Sequence, residues 1–529
     1  MRPTAPHTST PLTRRRVLHA TLGGLTGFAV WQGWPRLQVA MAQKGAPAGQ
    51  MTWAMHFTLT PQWFDPAETG GLLTLTIGLY ALHDALVKPM PDGPMAPCLA
   101  TQWHESEDGL TYDFALRHGV TFQNGDPFTA EDVQFSFERY KGASAAALKQ
   151  QVKAIEIVDP HHVRFVLHEP WPDFLTFYAT TATTAGWIVP KHYTEKIGND
   201  AFKQNPVGLG PYRLVQYDPG IALVFEAYPA YWRKTPTVKR LVFKMVPEAT
   251  TRLAMLKRQE ADVTYALYGP LAAEVQREPT MKLAYTLAGT EWGSFVDMYE
   301  PASPWHDQRV RLAANHALNR QALNDAETLG YSKLLGGIIP DTYDFALPLE
   351  PYAYDPPKAK ALLTAAGYPQ GFDAGTFACD AVYASQIEGV VNDLGAVGIR
   401  AKVQPLERAA MLAAVREKTV KHLVRVGNGA PGNAATRIET SMLSTGTLSF
   451  LKDPEIDQWF AQQSRERDRS KRAALLHKIQ QKAYDAAYVL PLWQLAFLCA
   501  TGPRVAVSGL GLIPGYIYSA PYEEVRLRS

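Results

Sequence analysis

The chain has 529 residues, 46% hydrophobic and 19% charged, with a formal charge of +2. Five of its 52 basic residues (Arg2, Arg14, Arg15, Arg16 and Arg36) fall within residues 1–42, which hold no acid, so the rest carries 47 basic against 50 acidic residues, a formal charge of −3. That balance excludes nucleic acid and anionic membrane as electrostatically recruited partners. The roughly 490 residues beyond position 42 outgrow a single hydrophobic core, which predicts two or more lobes.

The N-terminal segment reads as an export signal. Arg14 and Arg15 stand ahead of an apolar run, Ala20 to Val30, diluted by Gly23, Gly24 and Gly27. The segment closes on Val39-Ala40-Met41-Ala42, with small residues at the positions a signal peptidase reads. The run falls short of the roughly 20 residues that cross a bilayer. The expectation is a twin-arginine signal peptide over residues 1–42, with the twin-arginine translocase as export partner and a working place in the periplasm. Gln43 follows Ala42, so the cysteine that a lipid anchor requires is not there.

Beyond the signal, strand and helix patterns alternate. Tyr112, Phe114 and Leu116 recur at every second position, as do Val163, Phe165 and Leu167, then Leu241, Phe243 and Met245, each the mark of a half-buried strand. Thr129-Ala130-Glu131-Asp132 predicts a capping box on a helix through about Arg139. Asp307 caps a helix whose apolar face is Val310, Ala314, Ala317 and Leu318. Asp355-Pro356 starts another, which Ala366-Gly367 ends. Cys98, Cys379 and Cys499 are too few and too scattered for a disulfide framework and read as buried small side chains. Zinc-protease, nucleophile-elbow and phosphate-loop motifs are all missing from the sequence, so no catalytic residue, metal ligand or cofactor is assigned.

The same landmarks carry a family resemblance. Phe64-Asp65-Pro66 is followed by Tyr80-x-x-His83-Asp84-Ala85-Leu86-Val87 and Pro97-x-Leu99-Ala100-Thr101-x-Trp103. Asp108-Gly109-Leu110-Thr111-Tyr112 and Asn124-Gly125-Asp126-Pro127-Phe128-Thr129-Ala130-Glu131-Asp132-Val133 come next. Val207-Gly208-Leu209-Gly210-Pro211-Tyr212, Arg309-Val310-Arg311 and Ala366-Gly367-Tyr368 complete the series. In this order the chain resembles the family 5 extracellular solute-binding proteins, the dipeptide-, oligopeptide- and nickel-type receptors of ABC importers, over about residues 50–500. The resemblance implies a non-enzymatic, two-lobed α/β periplasmic-binding-protein fold, with an extra N-terminal subdomain and a ligand cleft between the lobes. Lobe I would span residues 43–306 with an inserted subdomain at about 86–205, lobe II 307–490, and residues 491–529 would return to lobe I. Expected partners are a small-molecule or peptide-like solute and an ABC permease in the inner membrane, with the receptor a monomer. An exported enzyme and a sensory or chaperone-like receptor on the same scaffold are the alternatives.

The resemblance also points to four cleft-lining regions. The loop after the first strand offers Trp63, Glu68, Thr69 and Gly70, and Trp292 sits where the chain nears the lobe crossing. In the third region, Arg425 and Asn428 stand where peptide-binding relatives generally carry an aspartate for the peptide's amino group. A buried ammonium without a carboxylate is costly, so this loop disfavours an ordinary free-amino peptide unless Glu68 or Glu291 substitutes. The planar fork of Arg425 suits a carboxylate or phosphate instead, as in an organic acid or a modified peptide. Trp493, in the fourth region, is available to stack on a bound group or to seal the hinge.

Overall fold

The computed structural model describes residues 46–528 apart from 69–72, 143, 180–182 and 430–431. The export signal with Arg14 and Arg15, and the loop positions Thr69 and Gly70, lie outside the described residues. The chain runs through β1 (Ala48–Met55) and a short antiparallel pair, β2 (Val87–Met90) and β3 (Gly93–Pro97), before building a small sheet. That sheet holds β4 (Ala100–Glu105), β5 (Thr111–Leu116), β6 (Val152–Asp159) and β7 (His162–Leu167) in the antiparallel order β4-β5-β7-β6. In β5 and β7 every second residue is buried, so Tyr112, Phe114, Leu116, Val163, Phe165 and Leu167 face one way. They meet Val133 and Phe137 of the helix Ala130–Arg139 in a core of their own. The Thr129–Asp132 capping box that starts this helix is formed.

A larger sheet carries the rest. Beside β1 stand β8 (Tyr212–Asp218), β9 (Ala222–Ala227), β10 (Val238–Met245) and β11 (Val263–Tyr265). After β12 (Lys282–Phe295) the chain contributes β13 (Phe372–Asp380), β14 (Ile399–Leu406), β15 (Leu423–Asn428) and β16 (Val489–Thr501). The order is β14-β13-β15-β12-β16-β11-β1-β10-β9-β8. The pairs β1–β10, β1–β11, β13–β14 and β13–β15 are parallel, as crossover helices require. Strands from residues 48–265 therefore lie on one side and those from 372–428 on the other. Two long strands join them: β12 and β16 pair from Lys282↔Thr501 to Ser294↔Val489, and β12 meets β15 only through Thr290–Phe295. The β12–β16 register shifts between Leu287 and Thr290 and again between Glu291 and Trp292. Such bulges bend a strand and re-aim its side chains.

Local chemistry explains the remaining landmarks. Asp307 and Asp355 accept hydrogen bonds from Arg309 N and Lys358 N, capping the helices Gln308–Ala317 and Pro356–Ala365. Gly367 follows the second helix at φ +92°, where a side chain would be strained. At Gly208 an added Cβ would lie 1.9 Å from the Leu82 carbonyl oxygen, and at Gly210 it would lie 2.5 Å from that of Ala81. Here two backbones touch, so the glycines are steric requirements. Cys98, Cys379 and Cys499 are free and buried.

Candidate functional site

The two register shifts of β12 stand at the edge of a cavity of about 100 Å³, room for several waters. Gly289 to Glu291 of β12, Arg425 to Asn428 of β15, and Leu495 and Phe497 of β16 line it. Asp380 and Tyr383 enter from the end of β13, Arg408 and Met411 from the helix Arg408–Arg416, and Tyr518 from the C-terminal tail. Chain segments on both sides of the β12–β16 crossing thus meet at one hole.

Two acid–base pairs dominate its walls. In the β12–β15 ladder Gly293 faces Arg425 and Glu291 faces Gly427, so Glu291 and Arg425 are diagonal neighbours on one face of the sheet. Their side chains form an ion pair and are only 4% and 7% exposed. Trp493, directly opposite Glu291 in β16, donates its indole N–H to Glu291 Oε2 at 3.2 Å. The Arg425 guanidinium lies over the Tyr383 ring, 3.5 Å from its centre. Burial pulls Arg425 down to about 9, still well above neutral pH.

The second pair is Asp380 with Arg408, joined from Arg408 Nη1 to Asp380 Oδ2 at 2.7 Å. Asp380 is the last residue of β13, where its Oδ1 also caps the short turn that carries Tyr383 by accepting from Val382 N at 3.2 Å. Burial works against the Arg408 charge, but Asp380 outweighs it and the guanidinium is raised above its ordinary value. The cavity therefore presents two cations and two anions, a balanced charge on largely buried side chains. Each charge is held by a partner on another element of the wall.

The sequence-derived candidates fall into three groups. Arg425 and Asn428 line the cavity, and Trp493 reaches its wall through Glu291. Arg425 does not hold out an empty fork, because a residue 134 positions earlier arrives on the neighbouring strand to meet it. Asn428 turns its amide towards the helix Ala434–Ser441, donating to Thr440 Oγ1 at 3.1 Å, while its carbonyl accepts from Arg437 at 2.6 Å. Trp292, Trp63 and Glu68 are not among the lining residues. Trp292 is fully buried on the opposite face of β12 from Glu291, and its indole donates to Ser294 Oγ at 3.0 Å. Trp63 packs against Phe57 at 6.1 Å, and Glu68 pairs with Lys203 at 2.7 Å. Thr69 and Gly70 are outside the described residues.

Sequence reasoning missed Asp380, Tyr383, Arg408 and Tyr518. Asp380 carried one local signal, a carboxylate closing an apolar strand where the chain turns. Arg408 and Tyr518 carried none. Among the described residues, no group of three or more His, Cys, Asp or Glu is placed to hold a metal ion. No helix among them is long and apolar enough to cross a membrane.

Comparison with known proteins places this architecture. The glutathione-binding protein GsiB of Salmonella choleraesuis (strain SC-B67) is 28% identical over 364 residues, 68% of this chain and 70% of that protein. GsiB of Pectobacterium atrosepticum is 27% identical over 444 residues, 80% and 85% of the two chains. Among solved structures, the periplasmic binding protein DppA from Helicobacter pylori in complex with the peptide STSA superposes with a TM-score of 0.78 at 23% identity. The match covers 91% of this chain and 98% of that one. A dipeptide-binding protein from Pseudoalteromonas sp. SM9913 in complex with Met-Leu gives 0.79 at 23% identity, covering 91% and 100%. At such identities the superposition shows the fold. The description "Bacterial extracellular solute-binding proteins, family 5 Middle" matches residues 94–448, well over half the sequence, and the chain belongs to that family.

Proposed function

We propose that this protein is the substrate-binding component of an ABC importer and that it captures a peptide-like solute carrying both an ammonium and a carboxylate. It works in the periplasm as a soluble monomer, delivered by the twin-arginine route, and hands its solute to an inner-membrane permease. The carrying observation is the balanced cavity, with Glu291–Arg425 and Asp380–Arg408 facing the same space. A solute with charge of one sign leaves that balance upset in a poorly solvated place, whereas one carrying both an ammonium and a carboxylate can exchange partners with both pairs. Glutathione, which the GsiB relatives are named for, carries one ammonium and two carboxylates, so it offers groups to both pairs and brings one negative charge in excess. Residues 43–306 with 491–529, and residues 307–490, act as the two jaws, and a solute touching both favours the shut form by its differential affinity.

The Arg425 loop takes a different meaning in this reading. Glu291 supplies the carboxylate that the loop lacks, so a free-amino peptide remains an acceptable solute. A thermal-shift panel of the exported chain tests this with dipeptides, tripeptides, glutathione, amine-free dicarboxylates and acid-free amines. At 100 times its Kd a true solute stabilises by about 2.7 kcal/mol. Peptides carrying both an ammonium and a carboxylate should raise the melting temperature, and the dicarboxylates and amines with charge of one sign should not. Tight binding of a dicarboxylate with no response to any zwitterion would sink the proposal.

A further inference from the structure

The four-stranded sheet and its helices keep their own apolar core, with Trp171 and Phe174 in it. The helices after Asn433 bury Ala434, Ile438, Ile456 and Leu476 in the main core instead. Polar contacts join these two bodies. Arg472 Nη2 donates to Asp173 Oδ2 at 2.6 Å, and Asn433 Nδ2 donates to Asp173 Oδ1 at 2.9 Å. The Arg472 and Asp173 side chains are 7% and 2% exposed, and the two partners of Asp173 lie 299 and 260 residues further along the chain. Around this buried centre runs a solvent-facing rim. Arg465 meets Glu169 at 2.6 Å, and Arg467 Nη1 donates to the Glu107 carbonyl at 2.7 Å.

The same small body is tied differently to the N-terminal segment. The Arg139 fork holds both oxygens of Asp65 at 2.7 and 2.8 Å. Lys141 N donates to the Ala67 carbonyl at 2.7 Å, and Thr184 Oγ1 donates to that of Pro66 at 2.8 Å. The N-terminal side thus includes a backbone–backbone bond and covalent continuity, whereas every contact named on the other side has a side-chain donor. Bodies with separate cores that are joined by polar contacts move relative to one another by default. Removing one partner of a buried pair inside such an interface is strongly unfavourable, because the survivor is an uncompensated buried charge for as long as the interface stays shut.

We propose that Asp173, Arg472 and Asn433 form a latch between the four-stranded body and the C-terminal half, setting the balance of shut and open forms without touching the solute. This rests on the preceding reading only in that the protein opens and shuts. The apparent affinity for any solute then scales with the latched fraction.

The test uses no solute, so a failed peptide panel leaves it intact. Val158 on the small sheet and Tyr354 on the other body are 50% and 51% exposed, and Val158→Cys with Tyr354→Cys gives two labelling sites while the native cysteines stay buried. Spin-label distances should show one dominant population in the otherwise unaltered protein. Asp173→Asn strands the Arg472 charge in the shut form and should move the shut-to-open ratio by more than about ten-fold towards open. Arg465→Ala combined with Arg467→Ala, which strands no buried group, should move it the same way by about two-fold, as exposed pairs contribute little. An unchanged distribution in folded Asp173→Asn overturns the latch. If that variant does not fold, an unchanged distribution in the rim variant does so.

Discussion

Removing one member of the Glu291–Arg425 pair is the most informative perturbation of the cavity. Breaking a buried ion pair costs about 3–5 kcal/mol, because the survivor is stranded in a poorly solvated place. Here the cavity lies against the pair and admits water, which puts Arg425→Met at about 3 kcal/mol, the low end of that range. Glu291→Met also strips the Trp493 indole of its acceptor, adding about 1 kcal/mol. The double variant replaces the pair with apolar groups of similar volume, so only the indole loss remains, about 1 kcal/mol. At roughly 2.1 cal/mol/K per residue, the described stretch unfolds with an entropy near 1 kcal/mol/K. The single variants should therefore melt about 3–4 °C lower and the double variant about 1 °C lower. Calorimetry of all four proteins closes the cycle. Single effects that sum to the double effect within about 0.5 kcal/mol would show no coupling and refute the pairing.

Two further predictions concern the close contact beside Leu82. Gly208→Ala forces a methyl group into the Leu82 carbonyl and against the His83 ring, at 1.9 and 2.6 Å, and should cost at least the roughly 1–3 kcal/mol of overpacking, read as a lower melting temperature or insoluble expression. His83 is buried, and burial lowers its pKa from 6.5 to about 4, despite a 2.8 Å contact between its Nε2 and the Phe64 carbonyl. The unfolded chain takes up a proton there first, so stability is lost as pH falls from about 6.5 to about 4, by roughly 3 kcal/mol over that window. His83→Gln should flatten part of the acid limb of a melting-temperature profile. His56, also lowered by burial, sustains the remainder.

The sequence made local structure legible because local structure has local causes. Thr129 with Asp132, Asp307 and Asp355 mark their helices through hydrogen bonds that span two or three residues. The alternation of Tyr112, Phe114 and Leu116 shows which face of β5 is buried. The cavity obeys no such rule. Glu291 meets Arg425 only because β12 and β15 pair in one register, and Asp380 meets Arg408 across the return of a parallel crossover. A shift of one residue in the first ladder would turn Arg425 to the other face. Trp292 and Trp493 illustrate the limit: both looked alike as aromatic candidates, yet one points into the core and the other hydrogen-bonds the cavity's carboxylate.

The place of β16 in the sheet has a consequence for how the chain comes into being. This strand is made from residue 489 onward, yet it lies in the middle, between β12 and β11. A ribosome-bound chain that has not yet released it holds two half-sheets, each ending in an unpaired strand edge. Those edges are what neighbouring chains capture. The sheet is joined by a segment that emerges after both halves, and until then the protein depends on being kept from others of its kind.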